Sequence, residues 1–446
     1  MSDASGPMRF CCVAVDRIHG GLVELLAAAQ PSGAWIRQEQ GRLGLGVAAQ
    51  TSASGADRFA DLAHWWDSLS WQGPSLDGLP AGAGPTAFSS ITYSSDSSSA
   101  SRLILPELIL AVTEQGTWLT GVVVSEPESG SAEKPAAEGF PLDQLLQKHG
   151  LRLDDGALSA LSASPAAVPQ AQLHAGTHPE QHYMDAVEAG VAAIGERRLE
   201  KLVLARDAVA AAEAPLPPGP LLARLTRDYS DCWTYRAGDV LGATPEMLVQ
   251  VRGEELFARV LAGTVDRSLG EQGARVQLVE NPKQRNEHTL AVESLLEQLA
   301  PVSAQLRAQT PPAVLELPNV YHLSTDVTGR LSTAEEGAEP ISPLLVAERA
   351  HPTAAICGTP TATAAGLIGA LEDIDRGPFS GPVGWVDTRG NADVGIALRG
   401  GVLENEDRQL RLYAGCGIVA GSEPASELAE TWAKMRPMLG ALGLKR

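Results

Sequence analysis

The sequence predicts an α+β architecture in layers, and three observations carry that reading. Strand-like and helix-like stretches are mixed without the regular alternation that builds a parallel doubly wound sheet. Leu202, Val203, Leu204 and Ala205 form a run with apolar residues at both parities, the pattern of a strand buried on both faces. With 45 glycines and 30 prolines, the 446-residue chain is also rich in turns.

Upstream, AFSSITYS (87–94) and LILPELILAVTEQGTWLTGVVV (103–124) read as strands without a charged constellation. Three stretches read as linkers or long surface loops: PSLDGLPAGAGPT (74–86), SEPESGSAEKPAAEGFPLD (125–143) and LSASPAAVPQAQLHAGTH (161–178). Residues 1–170 are expected to form an N-terminal region of one compact fold, with the chemistry in residues 171–446. Residues 178–200 read as an amphipathic helix that feeds the strand opened by Lys201. Residues 239–264 read as a hairpin turning at Arg252-Gly253. Asn281 is placed to cap a helix with Pro282 in its first turn. GPVGWVD, DVGIALRGGVL and RQLRLYAGCGIV read as a meander with turns at TRGN and ENED, and ASELAETWAKMRPML as a closing helix.

Bulk properties narrow the function. A net charge of −20 argues against a nucleic-acid or anionic-membrane partner, although a local basic cluster can still hold an anionic substrate. No apolar run approaches the ~18 residues of a membrane span, and the N-terminus shows no secretory pattern. The five cysteines are scattered without metal-ligand spacing, so a reduced, cytoplasmic setting is expected.

Lys201 is one of only six lysines and stands at the mouth of an apolar strand, where a charge is costly to desolvate. It either snorkels to the surface or is desolvated for a purpose. On the closing helix, Glu427, Glu430 and Lys434 share one stripe at i, i+3 and i+7. They form either a solvated face with a Glu430–Lys434 pair or, beside the glycine-bearing segment AGCGIVAGSEP, a pair of carboxylates for a hard cation such as Mg²⁺. His288 falls on an apolar helical stripe and reads as a core histidine, with Glu287 at the helix edge. Glu246, beside Met247 and Leu248, is either a strand-edge charge or a carboxyl with a raised pKa suited to general-acid work. Arg399 interrupts an apolar strand and calls for a carboxylate partner.

The ordered motifs KLVLAR, GATPE, LAGT, K-x-x-x-EH, HLST, HPTAAICGTP, SGPVGW, ALRG, AGCGIV and S-x-P-x-x-E-x-x-ET-x-x-K resemble those of the chorismate-utilising enzymes. That family includes isochorismate, salicylate, anthranilate and aminodeoxychorismate synthases, and the resemblance covers residues 178–440. It implies two large, mainly antiparallel sheets packed together with helices outside, and Mg²⁺-dependent chemistry on chorismate. Glu287 and Glu430 would ligate the metal, with Glu427 holding its waters. Arg399 with the backbone around Gly415 and Gly417 would hold the enolpyruvyl carboxylate, and Lys434 would assist at the metal-bound ring carboxylate. His322 and Thr359 would line the ring, with Ala262, Gly263, Thr264 and Phe379 completing the substrate contacts.

The family divides by nucleophile. Ammonia-using members carry Gln at the position of Lys201. A neutral lysine there can deprotonate water, with Glu246 donating to the departing 4-hydroxyl. Aminodeoxychorismate synthases carry a nucleophilic lysine where this chain has Ala262, and salicylate synthases tend to carry Thr at Ala355. The resemblance therefore points to the isochorismate-forming branch, serving menaquinone or siderophore synthesis, as a monomer without an amidotransferase subunit. A salicylate synthase and a catalytically silent chorismate-binding paralogue stand as alternatives. Departures from the family pattern fall at Arg198, Ala350, Phe379 and Gln284, the last often acidic in the family.

Overall fold

The computed structural model describes residues 6–125, 139–162, 164–266, 269–316, 320–332 and 341–444. The side chains of Ala262, Thr264, Asp266, Lys283, Glu287 and Val320 lie outside that description, as does most of the linker expected at 125–143.

Among the described residues, two large sheets, of 13 and 10 strands, form the centre of the molecule. Pairing in both is antiparallel apart from a two-residue parallel contact between Met8–Val15 and Trp71–Gln72. Each sheet draws strands from both sides of residue 170. Strand Trp233–Ala237 pairs with Pro31–Arg37 in the larger sheet, and Pro382–Asp387 pairs with Thr86–Ser90 in the smaller. The sheets meet face to face through Trp35 and Tyr235 from one and Phe88, Met247, Val383 and Trp385 from the other. Arg42 crosses the same interface, stacking on Trp385 at 3.8 Å and reaching Asp387 at 3.4 Å. A buried charge of this kind persists only when paired, which fixes the lateral register of the two layers.

Helices cover the outer faces. Gly21–Ala28, Pro218–Asp228 and the C-terminal end of Pro424–Ala441 pack on the larger sheet. Glu180–Gly195 and Thr361–Glu372 cover Leu202 and Leu204 of strand Lys201–Ala212. Arg58–Asp67, Pro343–Ala350 and Pro282–Leu299 cover the smaller sheet. This is the expected layered α+β fold.

Three expected elements differ, the first two for one physical reason. The stretch 239–264 is not a single hairpin: Val240–Thr244 belongs to the larger sheet and Met247–Arg252 to the smaller. Only Met247–Arg252 and Glu255–Asp266 form the hairpin. Likewise DVGIALRGGVL breaks into Ala392–Ile396 and Gly400–Glu404, in different sheets. Arg399 sits at the break with φ +51, a backbone no continuous strand adopts. Apolar runs at both parities look the same whether a strand continues or hands over to the facing sheet. The third difference lies in 161–178, where Ala171–Ala175 forms an edge strand on Lys201–Ala212.

Candidate active site

The two hand-over points are tied to each other. Ile396 N–H donates to Glu246 O at 3.0 Å, and Ala243 N–H donates to Arg399 O at 3.3 Å. Glu246 and Arg399 are thereby brought together where the chain passes between the sheets.

Lys201 enters from strand Lys201–Ala212, which Gln409–Ile418 separates from Gly400–Glu404. Its residues 202–211 pair with Gln409–Ile418, with Val203 opposite Gly417 and Ala205 opposite Gly415. Leu202 and Leu204 face the helices, so Lys201, Val203 and Ala205 face the other way. Gly417 explains why the lysine fits. A Cβ on Gly417 would lie 2.9 Å from Lys201 Cε, so the glycine leaves the space the lysine stem occupies. Gly417→Ala is expected to push the amine aside and lower kcat by about 10–100-fold. The unfolding midpoint should stay near wild type, because the displaced atoms are the end of a flexible chain; parallel kinetics and thermal melts check this.

Lys201 is half-buried, so the strand's opening residue is not sealed in the core. On its other edge it pairs with Thr359. Phe379 is buried and stacks on Tyr413 at 5.3 Å, packing with Ala205 as an apolar wall. His322 Nδ1 lies 3.4 Å from Gly263 O, at a bulge where Leu261 opposes Ser324 and Thr264 opposes His322. Gly263 supplies the φ of +82 this bulge uses. Desolvation lowers the His322 pKa against the opposing hydrogen bond with Gly263 O, so the imidazole is neutral near pH 7.

Glu246 is half-buried as a residue, yet desolvation of its carboxyl raises its pKa. Lys201, Arg399 and Lys434 all pull it back without overcoming that effect. A carboxyl held toward its protonated form within electrostatic reach of a lysine is an acid–base pair in prospect. Desolvation likewise lowers Arg399, with Glu430 and Glu246 among the groups opposing it.

On the closing helix, Lys434 Nζ donates to Glu430 Oε1 at 2.7 Å and to Gly415 O at 2.7 Å. The i, i+4 pair thus forms, and it joins the helix to the strand that faces Lys201. Burial raises the Glu430 carboxyl, but Lys434 outweighs it and the net pKa is lowered. Glu427 and Glu430 each place a carboxylate oxygen, with Cys416 Sγ, in a group whose atoms lie within 4.8 Å of one another. The sequence reading missed Cys416. Its thiol is pushed up to about 12, mainly by desolvation, so it stays protonated and is no ligand for a hard cation. What remains is an oxygen donor set. The Glu427 and Glu430 oxygens fit Mg²⁺. Gln284 Oε1, buried and without a hydrogen-bond partner among the described residues, lies beside Gly263. The expected ligand Glu287 and the expected contacts Ala262 and Thr264 have side chains outside the described residues. His288 is a core residue, bonded through Nε2 to Thr325 Oγ1 at 2.7 Å.

A two-sheet α+β enzyme with Lys201, Glu246, Arg399, Glu430 and Lys434 within electrostatic reach of one another at the hand-over points is the class that fold and site define. A family profile described as "Chorismate binding enzyme" matches residues 30–443. Isochorismate synthase DhbC of Bacillus subtilis is 35% identical over 278 residues, covering 59% of this chain and 68% of the relative. Isochorismate synthase MenF of the same organism is 26% identical over 91% of this chain and 86% of the relative. In fold, the menaquinone-specific isochorismate synthase MenF of Escherichia coli superposes with a TM-score of 0.73 at 21% identity, covering 98% of this chain and 95% of that one. The chain belongs to the chorismate-binding enzyme family. Among the described residues, no helix is long and apolar enough to cross a membrane.

Proposed function

We propose that the protein is an isochorismate synthase, which moves the hydroxyl of chorismate from C4 to C2 through attack of water. The observation that carries this reading is a desolvated Glu246 whose pKa is raised, within electrostatic reach of Lys201. A neutral amine and a protonated carboxyl carry the same number of protons as the ion pair. Desolvation of the Glu246 carboxyl favours its protonated form, the state needed for an acid at C4, and the base at C2 is the Lys201 amine once it has given up its proton. Lys201 takes a proton from the attacking water, and Glu246 gives one to the departing hydroxyl.

Arg399, with the backbone around Gly415 and Gly417, holds the enolpyruvyl carboxylate, and the buried Phe379–Tyr413 wall limits solvent entry from below. His322, neutral, and Thr359 border the ring, and the bulge at Ala262, Gly263 and Thr264 closes its far side. Glu287 and Glu430, with Glu427 at the metal's waters, would hold Mg²⁺, and the chemistry it would supply when bound is withdrawal of electron density through the ring carboxylate. Lys434 orients Glu430 for that role. The enzyme works as a single chain in the cytoplasm, on a pathway to menaquinone or a siderophore.

Incubation with chorismate and Mg²⁺, followed by product separation, is expected to give isochorismate alone. Salicylate with pyruvate, or a product that appears only with ammonia, would overturn the reading. Chelation with EDTA is expected to abolish turnover and added Mg²⁺ to restore it. Glu430→Gln should raise the Mg²⁺ concentration for half-maximal rate by about tenfold or more.

A further inference from the structure

The strand that carries Lys201 has a gap along one edge. Toward its start it is paired by Gly358–Thr359, with Val203 N–H donating to Cys357 O at 2.8 Å. Toward its end it is paired by Ala171–Ala175, beginning at Ala208. Among the described residues, no strand pairs with 204–207 on that edge. Backbone groups left open there would weaken the register of the strand, and a one-residue slip sends every side chain to the opposite face.

Two side chains stand in the gap. Glu372 Oε1 accepts from Ala205 N–H at 2.7 Å, and Arg376 Nη2 donates to Val203 O at 2.8 Å. The same arginine donates through Nη1 to Ile356 O at 2.9 Å, three residues before Thr359, and through Nε to Glu372 Oε2 at 2.9 Å. Both residues are 3% exposed. The pair therefore reproduces the donor and acceptor of a missing strand residue and also grips the loop that delivers Thr359.

We propose that the buried Glu372–Arg376 pair is a positioning device, which locks the Lys201 strand in register and holds Lys201 against Thr359. The inference rests on Lys201 being the base of the proposed reaction. Both act through the backbone of the Lys201 strand.

The test is a cycle of variants. Glu372→Leu with Arg376→Met removes both charges together, so no buried charge is orphaned and the fold is kept. Expected is a fall in kcat of about 10–100-fold with KM for chorismate within about twofold of wild type. In a Lys201→Ala background the same pair of changes should lower kcat by no more than about twofold, since no base remains to be misplaced. Near-wild-type kcat in the first background, or an equal loss in both, overturns the positioning role. A Lys201→Ala enzyme with unchanged kcat would instead overturn the base assignment, and the two failures are thus distinguishable. Should the double variant not fold, Glu372→Gln carries the same comparison. It keeps an acceptor for Ala205 but weakens the hold on Arg376, so a loss of about 3–10-fold is expected only where Lys201 is present.

Discussion

Lys201→Ala is expected to lower kcat by about 10²–10⁴-fold, the usual contribution of a positioned general base. The KM for chorismate should change little, since the carboxylates of the substrate are assigned to Arg399 and the metal. The size of the effect follows from geometry as well as chemistry. The lysine is half-buried beside Gly417 and Thr359, in a space that a truncated side chain leaves to water. Water in that space is unpolarised and unoriented, so its presence does not replace the amine. Steady-state kinetics with a Mg²⁺ titration separate this outcome from a binding defect. A wild-type kcat would remove Lys201 from the mechanism.

Glu246→Gln should reduce kcat by a similar factor, about 10²-fold or more, because the amide cannot donate a proton to the departing hydroxyl. Its pH signature differs from that of Lys201→Ala. Glu246 works protonated, so in the wild type it sets the alkaline limb of the rate profile, and that limb should vanish in the variant. The effect on stability has the opposite sign. The folded-state pKa of Glu246 is raised by desolvation. Its contribution to stability is therefore fully present below the ordinary carboxyl pKa and is lost as pH rises through the raised value. Above that value the wild type holds a desolvated carboxylate that Glu246→Gln lacks, so at pH values above it the variant should melt at a higher temperature than wild type. A stabilised but crippled enzyme is the expected signature of a group placed for catalysis at the expense of stability.

The layered fold and the motifs that place the candidate site could be read from the sequence because each signal is local. A strand apolar at both parities, a helix stripe bearing two carboxylates, and short glycine-containing strings keep their meaning without a partner. The hand-overs at Glu246 and Arg399 could not be read so easily. They depend on which of two facing sheets receives the next residue, and an apolar run is compatible with either. Arg399 looked like an interruption of a strand; its left-handed backbone makes it the end of one. Cys416 escaped for a related reason. Within AGCGIV it alternates with Gly415 and Gly417, and only the pairing shows that the glycines share the face of Lys201 while the cysteine turns toward Glu427 and Glu430. Glu372 and Arg376 show no pattern beyond an i, i+4 ion pair. Their role depends on a gap between two strands more than 180 residues apart in sequence.

The most direct measurement of the central claim is turnover of chorismate in ¹⁸O-labelled water, with the isochorismate recovered and its oxygens located by mass spectrometry. Attack of water at C2 with loss of the C4 hydroxyl predicts one solvent-derived oxygen, at the C2 hydroxyl, in the product. Isochorismate formed without label would mean that the hydroxyl migrates within the substrate, and the assignment of Lys201 and Glu246 as a water-activating base and a leaving-group acid would fall.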